Sequence, residues 1–304
     1  MTGVLPGTPV NDPVIGIDLG GTKVASGVVT GTVIADRQEV PTPRGLENLL
    51  DLLQRLVEAH DAGARQRLRV GLGLPGPVRD GQSTFFSNLQ ELNGTRLESE
   101  LARRLNRTVV IENDANLAAL AEFHCGASRG TTTSAYLTWS TGIGCGLILH
   151  GHLHSGRHGM AGEVGHTRIT PLGPMDGSGT VGTLEAQISG AALARDAGFV
   201  FGRAVPVPDL FGLAATDARA QTLLQQAAAH LGIYLHNLQL LLDPDCVVLG
   251  GGLFQHLEVL LPMIEAARRQ TGALDEFTPL VPSHLGRDAG IIGAALLARR
   301  GRSP

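Results

Sequence analysis

A short apolar strand that runs into a carboxylate, two glycines, a hydroxyl and a cation constrains this chain more than any other feature. The stretch is Ile15-Gly16-Ile17-Asp18-Leu19-Gly20-Gly21-Thr22-Lys23. Glycines at 20 and 21 allow positive φ and remove Cβ, so backbone N–H groups can approach an anion closely. Thr22 adds a hydroxyl donor. Asp18 cannot bind phosphate directly, but it can hold a water or a Mg²⁺ that does, because Mg²⁺ favours carboxylate oxygen, waters and phosphates together. Val24, Ser26, Val28 and Val29 read as a second strand, which sets the loop in a hairpin and not at a helix start. Lys23 is the one lysine among 24 lysines and arginines, which marks it as a residue chosen for its site. The competing reading is a plain Gly-Gly hairpin turn.

A chain of 304 residues with 43% hydrophobic content has material for two cores, and a net charge of −4 with no basic block argues against nucleic acid as a partner. The apolar stretch around Leu238 to Leu242 is far short of the roughly 18 residues that cross a bilayer. The first dozen residues lack a basic region followed by an apolar one, so no signal peptide is expected and the protein is expected to be cytoplasmic. Cys125, Cys145 and Cys246 are scattered and form no CxxC pair; they read as small buried hydrophobes, not as metal ligands.

The apolar spacing of Leu46 to His60 predicts an amphipathic helix. Strands are expected at 68–74 and 108–111, the second running into Glu112-Asn113-Asp114 and a helix from Ala115 to His124. The second half opens as the first does. Ala135 to Trp139 is a strand, Ser140-Thr141-Gly142-Ile143-Gly144 a hydroxyl and glycine loop, and Cys145 to His150 a return strand, so the architecture looks duplicated. A long helix over 221–242, a strand over Cys246 to Leu249, the triplet Gly250-Gly251-Gly252 and a last helix from Arg287 to Arg300 complete the reading. The triplet suits backbone lying against a ligand, and equally an ordinary strand-to-helix turn.

The order of these pieces resembles the sugar kinases of the actin, Hsp70 and hexokinase superfamily, and within it the ROK family, from Val14 to Arg300. The resemblance implies an α/β, two-lobed ribonuclease-H-like (actin-like ATPase) fold, each lobe a mixed sheet with flanking helices. The lobes are expected at 1–112, joined by the C-terminal helix 287–304, and at 113–286. It implies ATP and Mg²⁺ as cofactors, a hexose as substrate, and a homo-oligomer, dimer or tetramer. By similarity, Asp18, Gly20, Gly21, Thr22 and Lys23 form the first phosphate loop, with Mg²⁺ held through Asp18. Ser140, Thr141, Gly142 and Gly144 form the second, and Gly250, Gly251 and Gly252 the adenosine-contacting turn. Asp114 corresponds to the general base, and Asn113, Glu163, His166 and Glu185 to sugar ligands, with Asn88 the loosest match. Glucose is the first expected substrate; mannose, fructose, N-acetylglucosamine and N-acetylmannosamine stay open, as does polyphosphate as donor.

One departure is plain. Members of the family commonly carry zinc on three cysteines and the histidine that corresponds to His166, but here the cysteine positions hold Asp176, Ser178 and Thr183. One carboxylate and two neutral hydroxyls are a poor set for zinc, so zinc is not expected.

The chemistry can be argued from the residues as well. A sugar hydroxyl is a poor nucleophile, so phosphoryl transfer needs a positioned carboxylate to take its proton and donors to stabilise the phosphate oxygens. Asp114 suits the base, although an Asp at a helix start is commonly an N-cap. Glu163 and Glu185 suit vicinal hydroxyls, while His166 can donate or accept. An exposed loop glutamate at 163 and a dipole-favoured one at 185 are the alternatives. His152, His154 and His158 lack carboxylate partners at ligand spacing and read as a solvated turn. A sugar-sensing repressor of the same family would carry an N-terminal helix-turn-helix, for which barely a dozen residues precede the first strand. A nucleotide-driven protein of the actin kind would not need Glu163, His166 and Glu185.

Overall fold

The computed structural model describes residues 12–62, 67–83, 92–272, 274 and 276–300. The chain divides into two compact units. The first takes in the described residues of Met1–Gly130, Gly146–Gly162 and His284–Pro304, the second those of Thr131–Cys145 and Glu163–Ser283. The expected boundary at 112/113 therefore falls inside the first unit.

In the first unit, β1 (Val14–Leu19), β2 (Lys23–Thr30) and β3 (Val33–Pro41) form antiparallel neighbours, and β4 (Val70–Leu74) and β7 (Val109–Asn113) extend β1 in parallel, giving the order β3-β2-β1-β4-β7. The short hairpin β5 (Val78–Arg79) and β6 (Gln82–Ser83) lies apart from that sheet. β1 and β4 are buried almost throughout, as strands covered on both faces must be. β3 is largely exposed and charged, which suits a sheet edge. Helix α1 (Leu46–Asp61) buries Leu49, Leu50, Leu53, Leu56 and Val57, the face its spacing predicts. Its buried His60 Nε2 lies 2.9 Å from the Ser26 hydroxyl. Helix α2 (Leu97–Leu105) buries Leu97, Leu101 and Leu105.

Two helices of this unit approach the sheet and each other more closely than side chains allow, and glycine makes that approach. Gly16 and Gly71 are direct partners on β1 and β4. A Cβ at Gly16 would lie 2.1 Å from the Ile291 carbonyl oxygen and one at Gly71 1.9 Å from that of Ala294, both on α9 (Ala289–Arg300). On the other side of α9, a Cβ at Gly293 would meet the Leu117 carbonyl oxygen of α3 (Asp114–Cys125) at 2.0 Å. The last helix thus packs on the first sheet as expected, and α3 is buried from Ala115 to Glu122 with no solvent face of its own. At its far end the fully buried Glu122 carboxylate accepts N–H groups of Ala127, His284 and Leu285.

The second sheet has the order β10-β9-β8-β11-β12, with β8 (Ser134–Trp139), β9 (Ile143–Leu149), β10 (His152–Leu153), β11 (Cys246–Gly250) and β12 (Leu280–Pro282). β8, β11 and β12 are parallel, and the order repeats that of the first sheet, as the duplicated motifs predict. The second unit adds α4 (Leu184–Ile188), α5 (Gly190–Phe201), α6 (Val207–Leu213), α7 (Ala218–Leu242) and α8 (Leu257–Thr271). The fully buried Trp139 indole donates to the Ile188 carbonyl at 2.7 Å and meets Phe254 edge-on. Cys145 and Cys246 are buried, and burial pushes the Cys145 thiol up to about 12. Among the described residues no helix is long and apolar enough to cross a membrane.

Candidate active site

In the first unit the loop between β1 and β2 is closed by Gly20 N–H on the Lys23 carbonyl at 2.9 Å, and tied to the end of β3 by Thr42, whose hydroxyl donates to the Gly20 carbonyl at 2.7 Å. The expected positive φ at Gly20 and Gly21 is not used: neither residue lies in the left-handed region. Space is tight at Gly20 instead, where a Cβ would lie 3.1 Å from the Lys23 carbonyl oxygen. Lys23 projects from the start of β2 and pairs with Glu39 of β3 at 2.8 Å, about half exposed. That pairing was invisible in sequence, because the strand register alone decides it.

Asp18 sits at the end of β1, and its carboxylate lies over the N-terminus of α9, where a Cβ on Gly290 would come within 2.6 Å of its oxygen. Burial pushes this carboxyl up from 3.8 to about 6, against the opposing pull of Lys23 and Arg37. Folding therefore holds the Asp18 proton more tightly than the unfolded chain does. The associated stability is fully present below about pH 4 and is lost as pH rises through 6, for a total on the order of 3 kcal/mol. Asp18→Asn is expected to raise the melting temperature of the ligand-free protein at pH 7.5 and to give little advantage at pH 4. Thermal scans of both proteins at the two values check this; an equal gain at both would remove the buried-charge argument. A single buried carboxylate fits the manner in which Mg²⁺ binds, through one or two carboxylates with waters and substrate phosphates.

Where β7 passes into α3, the expected competition at Asp114 is decided locally. The N-cap is Asn113, whose Oδ1 accepts the Asn116 N–H at 3.0 Å, while its Nδ2 donates to the Gly76 carbonyl at 3.1 Å in the Pro75-Gly76-Pro77 turn. Asp114 occupies the first helical position, with Oδ1 accepting from Ala115 N–H at 2.7 Å. Glu112 braces the segment: it accepts from Asn113 N–H, from the Asn116 amide at 3.1 Å and from the Ser155 hydroxyl at 3.1 Å. A Cβ at Gly146 of β9 would collide with the Ala115 carbonyl oxygen at 2.3 Å, so the helix start is fixed by backbone packing too. Asn88 lies outside the described residues.

In the second unit the Ser140–Gly144 loop is closed by Ser140 N–H on the Gly142 carbonyl and braced by Gly190 N–H on the Ser140 carbonyl at 2.8 Å. Glu185, in the first turn of α4, reaches this loop. Its Oε2 accepts the Ile143 N–H at 3.0 Å and would lie 2.6 Å from a Cβ on Gly142 and 3.4 Å from one on Gly165. Glu163 precedes a 3₁₀ turn at Val164–His166. Burial raises its carboxyl above the ordinary range, His166 opposing and Glu185 reinforcing the shift. Glu163 thus lies within electrostatic reach of both His166 and Glu185. His166 Nδ1 meets Asp176 Oδ2 at 2.8 Å.

The two other positions where the family resemblance puts cysteine are committed elsewhere. The Thr183 hydroxyl caps α4 by accepting Ala186 N–H at 3.3 Å, and the Ser178 hydroxyl donates to Asp176 at 2.6 Å. These residues do not fit a zinc site, and no group of three metal-binding side chains gathers among the described residues. The glycine triplet divides by role. A Cβ at Gly250 would strike the Tyr136 hydroxyl at 2.1 Å, and Gly251, at φ 95°, turns against the backbone of Trp139, whereas Gly252 borders open space. Two of the three glycines thus serve the strand-to-helix turn itself.

The model of the ROK family matches residues 14–301. The chain belongs to the ROK family. Its fold is similar to that of a ROK hexokinase from Thermus thermophilus, with a TM-score of 0.81 and 41% identity over 94% of this chain and 97% of that one. It is also similar to a ROK family glucokinase from Streptomyces griseus in complex with glucose and AMPPNP, with a TM-score of 0.83 and 31% identity over 95% and 100% of the two chains. An N-acetylmannosamine kinase of Shigella flexneri is 34% identical over 303 residues, covering 94% of this chain and 98% of that one. The actin-like ATPase fold expected from the motif order is the fold of this ROK protein, with its two mixed sheets and flanking helices.

Proposed function

We propose that this ROK protein is an ATP-dependent sugar kinase that phosphorylates a hexose hydroxyl, with glucose to glucose 6-phosphate as the first assignment. The observation that carries the reading is the placement of Asp114 at the first helical position of α3, where the strand β7 ends and Asn113 caps the helix. Asp114 takes the proton of the attacking hydroxyl as its oxygen bonds to the terminal phosphorus and ADP departs. Glu163 and Glu185 accept sugar hydroxyls, with Glu185 anchored on the Ile143 N–H so that its orientation is set before substrate arrives. Backbone N–H groups of the two glycine loops, with Thr22, Ser140 and Thr141, suit the phosphate oxygens. Mg²⁺, when bound, neutralises charge on the donor phosphates, and Asp18 is the residue that would hold it.

The identity of the hexose is the finer part of the proposal, since the similar proteins bear the names of both glucokinase and N-acetylmannosamine kinase. A coupled ADP-release panel of glucose, mannose, fructose, N-acetylglucosamine and N-acetylmannosamine, each with ATP and with polyphosphate, tests it. The protein is to be stripped with chelator and resupplied with Mg²⁺ alone. Turnover of glucose with ATP is expected to survive that treatment. Absence of turnover with every sugar would end the kinase reading. Loss of activity together with one zinc per chain would end the zinc-free one.

A further inference from the structure

Asp176 stands where the family resemblance places a zinc-binding cysteine, yet it is neither idle nor exposed. Its side chain is fully buried beside His166. Oδ2 meets His166 Nδ1 at 2.8 Å, while Oδ1 receives the Ser178 N–H at 2.9 Å, the Ser178 hydroxyl at 2.6 Å and the Thr180 N–H at 3.1 Å. The loop is drawn tight around this carboxylate. Asp176 N–H donates to the Thr180 carbonyl, and Gly179 N–H, at a residue with φ 86°, donates to the Asp176 carbonyl. Those donors hold the Asp176 carboxyl well below the usual carboxylate range against the cost of burial.

An ionised carboxylate can only accept hydrogen bonds. The hydrogen between Oδ2 and Nδ1 therefore belongs to the imidazole, and the bond made at one ring nitrogen decides the role of the other. We propose that Asp176 is a positioning residue for the sugar site: it fixes His166 as the Nδ1–H tautomer, so that Nε2 accepts a hydrogen bond from a substrate hydroxyl. That hydrogen bond holds the ring in one plane and one protonation pattern. His166 follows Glu163 by three residues, at the end of the 3₁₀ turn that Glu163 precedes, and its charge acts on the Glu163 carboxyl. The tautomer therefore makes that edge of the group accept hydrogen bonds from hydroxyls at the imidazole as well as at the carboxylates. The inference rests on the sugar-kinase reading for its consequence, but the tautomer itself does not.

Two readouts separate those layers. The first is the imidazole ¹⁵N–¹H correlation spectrum of His-labelled protein at pH 8, with the His166 signals assigned by their loss in His166→Gln. Wild type is expected to show Nδ1 protonated. Asp176→Asn, whose Oδ1 keeps the Ser178 and Thr180 donors and whose amide N–H₂ then faces the ring, is expected to move the proton to Nε2. Asp176→Glu restores an acceptor and is expected to restore the Nδ1–H form. The second readout is kinetic: in Asp176→Asn the KM for sugar is expected to rise about tenfold, the worth of one hydrogen bond, with the KM for ATP unchanged and kcat altered less than KM. An Nε2–H tautomer in wild type overturns the proposal, even if neither Asp176 variant folds. An unchanged sugar KM in Asp176→Asn whose tautomer has switched overturns the role in substrate binding. If wild type turns over no sugar, the spectrum still decides the tautomer while the kinase reading fails by itself.

Discussion

Asp114→Asn is expected to lower kcat by about 10²- to 10⁴-fold, the usual worth of a general base, while sugar and nucleotide still bind. The substitution keeps the shape of the side chain and its acceptor for the Ala115 N–H, and removes only its basicity. Because Asn113 supplies the cap, helix α3 has no reason to fray in the variant. Stability should therefore stay within a few tenths of a kcal/mol of wild type, which separates this outcome from simple unfolding. Steady-state kinetics with calorimetric titration of sugar and of a non-hydrolysable ATP analogue make the check. A kcat within a few-fold of wild type would remove Asp114 from the mechanism. The contrasting variant Asn113→Ala should lose stability as well. It removes the cap and leaves the Gly76 carbonyl without its partner, at a cost of about 1–2 kcal/mol in stability.

Gly71→Ala should be the most damaging small substitution in the fold. A methyl group there would sit 1.9 Å from the Ala294 carbonyl oxygen, which belongs to helix backbone and cannot rotate away. Helix α9 would have to lift from β1 and β4, at about 3 kcal/mol or more given the usual 1–3 kcal/mol for overpacking a core against side chains that can adjust. A loss of that size corresponds to a drop of roughly 6–12 °C in melting temperature for a protein of this class. Activity should fall as well, because the same helix presents Gly290 to the Asp18 carboxylate. Gly212→Ala, in α6 where a Cβ meets nothing within 4 Å, is the matched control. It should be neutral or gain up to about 1 kcal/mol through the unfolded chain. Equal melting temperatures for wild type and Gly71→Ala would show that α9 does not rest on the sheet through its backbone.

Much of the architecture was legible because its signals are local. The 3.6-residue spacing of Leu46 to His60, the apolar strands ending at Asp18 and Asn113, and the repeated strand-loop-strand order each depend on neighbours in sequence. Helix α8 gave a weaker signal, since Pro262 lies within it and a proline ordinarily ends a helix. Helix α4 has only five residues, too few for a periodic pattern.

The amino-acid sequence by itself determined the family and the order of the motifs, and it supplied the residue types proposed for proton transfer and hydroxyl binding, because chemistry depends on identity and identity is written in the chain. Tertiary structure alone decided what each of those groups is bonded to. Asn113 and not Asp114 became the cap, since the cap falls to whichever side chain the strand end aims at the Asn116 N–H. Lys23 met Glu39 through strand register, and Glu185 reached Ile143 across 42 residues. Asp176, read in sequence as a missing thiolate, closed on His166 because the loop through Gly179 folded its carboxylate inward. Hydrogen bonds act over about 3 Å, so a partner is fixed only once the fold has brought distant segments that close.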